Sequence, residues 1–425
     1  MSGIRDYQAV VGEQLIEEIH DLARELKGCR VQHINSTFIG GGVAEILKRL
    51  VPMMQEAGLE VRWDVIKGSE EFYRVTKTFH NAFHGVPVQI SPGMLDTYRW
   101  ISRENYDLVD PRADFVILHD QQPLGLAEIR PDHPGRWLWY CHIDPVDVDQ
   151  TVWNFLSPWA GRCDAAIYHI PAYARNLGHR QYFMPPAIDP LAEKNREVSP
   201  GEVASVMERL GIPVDLPLVV QISRFDRLKD PLGVIQVFRL VRREVPCRLV
   251  LAGGGATDDP EGIQVLQEVH QEAANDPDIF ILELPPTSNL EINVLQRVAA
   301  VVIQKSVREG FGLTVTEAMW KSRPVVASPV GGITVQLIHG ETGLAAATSE
   351  EMARAVVMIL RDPALGEKLG QNAREHVKKN FTLPIYLKRW LELLKTEQGY
   401  PYGQKPDLAE MPVVAEVTTG PGSAS

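Results

Sequence analysis

No stretch of this 425-residue chain approaches the ~20 apolar residues a helix needs to cross a bilayer, so no membrane partner is expected. The opening residues, MSGIRDYQAVVGEQ, carry charges where a secretory leader needs an apolar core, which points to a cytoplasmic protein. Cysteine is scarce. The four present, Cys29, Cys141, Cys163 and Cys247, form no C-x-x-C pair; this excludes a disulfide framework and leaves reduced, buried thiols as the expectation. Basic residues are outnumbered, 43 Lys and Arg against 55 Asp and Glu, for a net charge of −12. That balance excludes nucleic acid as the main partner but allows a small anion in one local basic pocket. Metal-ligand patterns are equally thin. His80 and His84 stand i, i+4 in HNAFH, but the adjacent Glu of H-E-x-x-H and a third ligand are missing, so no metal is expected. Asp258-Asp259 reads as an exposed turn rather than a cation site.

What is present is an ordinary globular composition, 44% apolar and 23% charged, in a chain long enough for two domains. Residues 11–27 place Val11, Leu15, Ile19, Leu22 and Leu26 on one helical stripe, with Gly28 as a stop. CRVQHINS, LEVRWDVI, FVILHD, RWLWYCHI and AAIYHI then read as strands, with helical stretches between most of them. After a Pro-rich joint, MPPAIDPLAEKN, the pattern restarts with LPLVVQISRF, CRLVLAGGG, DIFILEL, AAVVIQK and RPVVASPV. Runs this rich in β-branched residues belong to strands buried on both faces, hence to parallel sheets between helices. The expected fold is α/β, with two doubly wound, Rossmann-like domains facing across a cleft. They span residues 1–190 and 191–382, followed by a helix at 383–398 packing back on the first domain and a disordered tail at 399–425.

Open α/β sheets bind ligands beyond the carboxyl ends of their strands. After the first strand stand Gly40, Gly41 and Gly42 before a helix, which serves either close approach of an anion or simply a tight turn. After VVQIS come Arg224 and Lys229, a fork and a point charge suited to a diphosphate, or else a solvated surface pair. After VVIQKS come Glu309, Gly310, Phe311, Gly312, Leu313 and Thr314, then Glu317 within the next helix. The glycine turn offers N–H groups to phosphate oxygens at a helix start. Glu309 can reach a neutral polar group beyond the phosphate, and Glu317 a vicinal diol. Sugar, phosphate and ribose are the parts of a nucleotide sugar, in order. A glycosidase pair is disfavoured: eight helical residues span ~12 Å at ~1.5 Å each, and such carboxylates sit ~5–9.5 Å apart.

SRFDRLK and REGFGLTVTEAMWKSRPVVAS resemble the donor site of the retaining GT-B glycosyltransferases, whose E-x7-E signature falls on Glu309 and Glu317. HINSTFIGGGVAEIL, VTKTFHNAFHG, WYCHID and MPPAIDPLAEKN are more closely similar to the trehalose glycosyltransferring synthases within family 4. The likeness covers roughly residues 28 to 395. It implies reversible transfer of glucose from a nucleoside diphosphate glucose (ADP-, UDP- or GDP-glucose) to free glucose, giving α,α-trehalose with net retention. It implies Arg224 and Lys229 on the diphosphate, Gly310–Thr314 adding N–H donors, Glu309 on the donor sugar and Glu317 on the ribose. Gly41 and Gly42 close over the phosphates, His142 lies beside the donor glucose, and Asp144, Asn35, His80 and Asn81 are acceptor candidates. The substrates are small molecules. No prosthetic group is implied, and Mg2+ enters at most as a nucleotide counterion; a homodimer is compatible. The competing readings are a trehalose phosphorylase, another family-4 glucosyltransferase, a sugar-nucleotide epimerase and a non-catalytic sensor.

Overall fold

The computed structural model describes residues 2–39, 41–254 and 260–400. Gly40, the Asp258-Asp259 turn and the tail from residue 401 lie outside the described residues. The chain forms two compact units: residues up to Ala187 together with the chain from Leu383, and Ile188–Thr382.

The first unit is built on six parallel strands: β1 Arg30–Asn35, β2 Glu60–Val65, β3 Phe115–His119, β4 Arg136–Cys141, β5 Ala165–Tyr168 and β6 Arg180–Phe183. Their order is β2-β1-β3-β4-β5-β6. Every residue of β3, β4 and β5 is buried, as expected for strands covered by helices on both faces. The first long helix differs from the sequence expectation. It runs Glu13–Glu25, after Gly12 at φ +87° breaks it from a short turn holding Val11, and its buried stripe is Ile16, Ile19 and Ala23 rather than Leu15 and Leu22. The helix Leu383–Gly399 packs into this unit. Its Lys388 and Lys395 each lie 2.7 Å from a carboxylate of the first helix, Glu18 and Glu25. Its buried Glu397 accepts both Arg180 Nε and Nη2 at 2.7 Å. That fork explains how β6 buries an arginine, since a desolvated charge is tolerated only when fully paired.

The second unit holds β7 Leu218–Ile222, β8 Arg248–Gly253, β9 Ile279–Glu283, β10 Val301–Gln304, β11 Val325–Ala327 and β12 Leu344–Ala345, again all parallel. Their order is β12-β11-β10-β7-β8-β9. Val219, Val234, Phe238, Leu249, Ile303 and Val356 meet in its core, each worth ~1.5–3 kcal/mol of apolar burial. Counted from β7 as the first strand, this is the dinucleotide-fold order, which reverses between β7 and β10.

Candidate active site

The loops leaving β7 and β10 open at that reversal, where an open α/β sheet takes its ligands. The loop after β7 carries Arg224 and closes in a short turn, Arg227–Lys229. Asp226 caps this turn, its carboxylate accepting the Lys229 backbone N–H at 3.2 Å. The loop after β10 runs beside it, with the Val307 N–H donating to the Leu228 carbonyl oxygen at 2.8 Å. This stitch brings Lys229 Nζ to 2.6 Å from Glu309 Oε2, which also accepts from the Ser306 hydroxyl at 3.1 Å. Arg224 lies further out, 57% exposed, with Nη2 3.2 Å from Asp226 Oδ2. The two cations are therefore held through two acids, Asp226 and Glu309.

Beyond Glu309 the backbone turns through Gly312 at φ +88°, a conformation glycine adopts without strain, and enters the helix Leu313–Trp320. The first N–H groups of any helix lack intrahelical partners and favour anions. The turn is propped from behind. The Gln336 amide donates to the Phe311 carbonyl, and the ring of Phe311 packs edge-on to Phe381. Gly332 lies so close that a Cβ there would fall 2.6 Å from Phe311 Cα. The Thr314 hydroxyl turns back toward Gln304 Oε1 at 3.4 Å. Because the helix starts only at Leu313, Glu309 and Glu317 are not joined by one continuous helix, and the ~12 Å helical span does not describe them.

Glu317 is 2% exposed, with Oε1 3.4 Å from Lys194 Nζ. One turn later, buried Lys321 donates to the Glu317 carbonyl oxygen, Gln296 Oε1 and Asn195 Oδ1. Burial brings the Lys321 ammonium down to about 7, while the Glu317 carboxylate pulls the other way.

In the first unit, Gly41 at φ +78° caps the exposed start of the helix Gly42–Glu56. Asn35 is buried, its amide donating to the Thr37 carbonyl and accepting from Trp63 Nε1. His80 and Asn81 sit half-buried on the helix Glu70–Phe83, with the His80 ring 4.8 Å from that of His84. Asp144 is buried and accepts the Val146 N–H at 2.9 Å. His142 follows β4, and both its ring nitrogens are engaged: Nε2 lies 2.9 Å from His119 Nδ1, and Nδ1 lies 3.1 Å from His169 Nε2. Its backbone N–H donates to Asp120 Oδ1 at 2.7 Å.

Sequence reasoning missed Asp120, a non-glycine residue at φ +64° on the end of β3. Burial pushes its carboxyl up to about 7, against the bond from the His142 N–H. A strained, perturbed acid at a strand end marks a functional candidate. Asp226, Ser306, Lys194 and the histidines flanking His142 were missed as well. Among the described residues no group of three or more His, Cys, Asp or Glu could hold a metal ion, and no helix is long and apolar enough to cross a membrane. All four cysteines are free and buried.

Comparison with known proteins matches this layout. Residues 33–175 fit the model of the trehalose synthase N-terminal domain, and residues 204–376 that of glycosyl transferases group 1. The trehalose synthase of Pyrococcus horikoshii is 39% identical over 402 residues, covering 93% of this chain and 97% of that protein. The chain belongs to the trehalose synthase family. The trehalose synthase of Rubrobacter xylanophilus is 41% identical over 399 residues, 92% of this chain and 96% of that protein. A trehalose phosphorylase from Grifola frondosa is a remoter relative at 28% over 475 residues, 94% of this chain but 64% of that one. Among solved structures, an Escherichia coli trehalose-6-phosphate structure bound with UDP-2-fluoro glucose superimposes with a TM-score of 0.71 at 15% identity, covering 86% of this chain and 99% of that one. This trehalose synthase family member thus has the two-sheet GT-B glycosyltransferase fold.

Proposed function

We propose that this chain is a hexosyltransferase that moves glucose from a nucleoside diphosphate glucose to free glucose, forming α,α-trehalose and the nucleoside diphosphate, reversibly and with retention. Its family carries the trehalose part of this reading. The contact that carries the donor part is Lys229 Nζ on Glu309 Oε2 at 2.6 Å, beside a glycine turn into a helix N-terminus at the strand reversal. In the unliganded protein each ion neutralises the other. When the donor enters, each takes a new partner: Lys229 and Arg224 the diphosphate, Glu309 the sugar hydroxyls. The cations and the N–H groups of Gly310–Thr314 then stabilise negative charge as it develops on the leaving group, the kind of interaction whose loss costs ~10²–10³ in rate. The anomeric C–O bond to the diphosphate breaks, the bond to the acceptor's anomeric oxygen forms, and the acceptor proton passes to the departing diphosphate. Glu317, supported by Lys194 and Lys321, holds the ribose. His142 and Asp144 border the reacting carbon and acceptor, with Asn35, His80 and Asn81 on the acceptor side; Gly41 and Gly42 cover the phosphates. Mg2+ serves only as a counterion, and a cytoplasmic setting and a homodimer belong to the same proposal.

A phosphorylase reading is favoured by the 28% relative. Against it stands Glu317, since a phosphorylase has no ribose to hold. Incubation with ADP-, UDP- or GDP-glucose plus glucose, followed by identification of the disaccharide and its anomeric configuration, decides between them. Trehalose with nucleoside diphosphate release supports transfer. Trehalose cleavage that needs only inorganic phosphate overturns it.

A further inference from the structure

Four histidines stand in one row across the sheet of the first unit, and the reaction as proposed uses only one of them. His33 lies on β1, His119 ends β3, His142 follows β4 and His169 follows β5, so the row crosses four neighbouring strands. The strand registers place them on one face: His33 pairs with Ile117, two before His119; His119 pairs with Tyr140, two before His142; Cys141 pairs with Tyr168, which sets His142 beside His169. Their rings touch in series. His33 Nδ1 is 3.0 Å from His119 Nε2, His119 Nδ1 is 2.9 Å from His142 Nε2, and His142 Nδ1 is 3.1 Å from His169 Nε2. Each contact joins Nδ1 of one ring to Nε2 of the next, so the row has a single sense.

A neutral imidazole carries one N–H and one acceptor. Each contact can hold one proton, so only two arrangements satisfy all three: every ring protonated on Nδ1, or every ring protonated on Nε2. The His33 end separates them. His33 Nε2 is buried without a hydrogen-bond partner, and its ring faces Trp390 edge-on at 5.3 Å. Protonation on Nε2 would strand an N–H donor there, whereas protonation on Nδ1 leaves a bare lone pair; orphaned buried donors are the rarer and costlier case. We propose that His33, His119, His142 and His169 form one tautomer-locked row, protonated on Nδ1 throughout, in which His119 and His169 are positioning residues that fix the ring of His142. Because His33 is a closed end, the row does not conduct protons through the unit; it sets an orientation. Tyr140, stacked on His142 at 3.8 Å between ring centres, holds the ring plane from the side. Burial lowers His33 to about 3 and pulls His119 and His142 well below the usual imidazole range, so these rings remain neutral at pH 7, as one proton per contact requires.

The consequence for activity rests on the reading of His142 as bordering the reacting glucose; the tautomer pattern does not. Long-range proton–nitrogen spectra of the full unliganded chain, labelled with 15N-histidine and assigned by single substitutions, test the row itself. All four rings are expected to show a protonated Nδ1 and a bare Nε2. An Nε2-protonated His142, or one that titrates near pH 6.5, overturns the proposal. In trehalose synthesis, His169→Phe is expected to lower kcat tenfold or more with KM within twofold. His169→Gln, which keeps an acceptor at the Nε2 position, is expected to recover to within threefold of the wild type. Equal kcat in the two variants overturns the positioning role. Should His169→Phe fail to fold, His119→Asn, which keeps a donor at the Nδ1 position, against His119→Ala makes the same comparison. A wild-type protein that makes no trehalose sinks the functional reading alone, since the spectra still report on the row.

Discussion

Both sheets gather polar side chains at the carboxyl ends of their central strands, yet they treat charge in opposite ways. In the second unit the corner between β7 and β10 is ionic: Arg224, largely exposed, with Asp226, and Lys229 with Glu309, which is buried and also takes the Ser306 hydroxyl. In the first unit the same end of the sheet holds a row of four imidazoles, His33, His119 and His169 buried and His142 half-buried, joined ring to ring by three nitrogen–nitrogen contacts. An ion pair of the first kind can change partners at modest cost, because each charge keeps a counter-ion before and after. The second kind cannot reorganise without leaving a buried donor or charge unmatched. On the proposed function, the ionic corner exchanges partners with an anionic ligand while the histidine row holds a fixed geometry.

The ionic corner should be the more sensitive in activity. Glu309→Ala is expected to bring trehalose synthesis below detection with the thermal midpoint little changed; near-normal turnover would remove Glu309 from the site. Lys229→Ala is expected to lower kcat by ~10²–10³, the usual cost of one charge-stabilising donor, as steady-state kinetics would show.

The neutral row should dominate the pH dependence of stability. His33, His119 and His142 have folded pKa values below the ordinary imidazole value, so their stabilisation is fully present above pH 6.5 and is lost as pH falls from there, toward about 3 for His33. For His33 that loss should amount to about 2 kcal/mol between pH 7 and 5, read from denaturant midpoints. His33→Leu should flatten that slope. Asp120 runs the other way. Its folded pKa is raised to about 7, so its contribution is present below about 4 and lost as pH rises through 7. Asp120→Asn, which keeps an acceptor for the His142 N–H and suits the left-handed backbone, should stabilise the protein at pH 8 by about 1–2 kcal/mol. The gain should vanish near pH 4.

The fold was readable from sequence because most strands are continuous apolar runs, and burial on both faces leaves no other reading for VILH or VVQI. Two strands were missed for physical reasons. β6 is RQYF, whose arginine is buried only because Glu397, 217 residues away, neutralises it. β12 is two residues long. The first helix was expected to begin at Val11, before the break at Gly12, and its inner face was half right: Ile19 and Leu26 are buried, but Ile16 and Ala23 take the inner positions where Leu15 and Leu22 are only partly buried. At the candidate site the residue types and the Glu309–Glu317 spacing were legible. The Lys229–Glu309 contact was not, since a tertiary contact across 80 residues leaves no periodic trace. The histidine row left one: QHIN, LHD, CHI and YHI put a histidine at or near the ends of four strand candidates. Only the strand order and register show that these are neighbours on one face.

Calorimetric titration of ADP, UDP or GDP, without sugar, into wild type, Lys229→Ala and Glu309→Ala reads partner exchange at the ionic corner. If Glu309 competes with the diphosphate for Lys229, Glu309→Ala should bind the bare nucleotide at least as tightly as wild type while failing to make trehalose, and Lys229→Ala should bind it tenfold or more weakly. Nucleotide affinity unmoved by Lys229→Ala, or weakened equally by both substitutions, would show that this ion pair is not where the phosphates go.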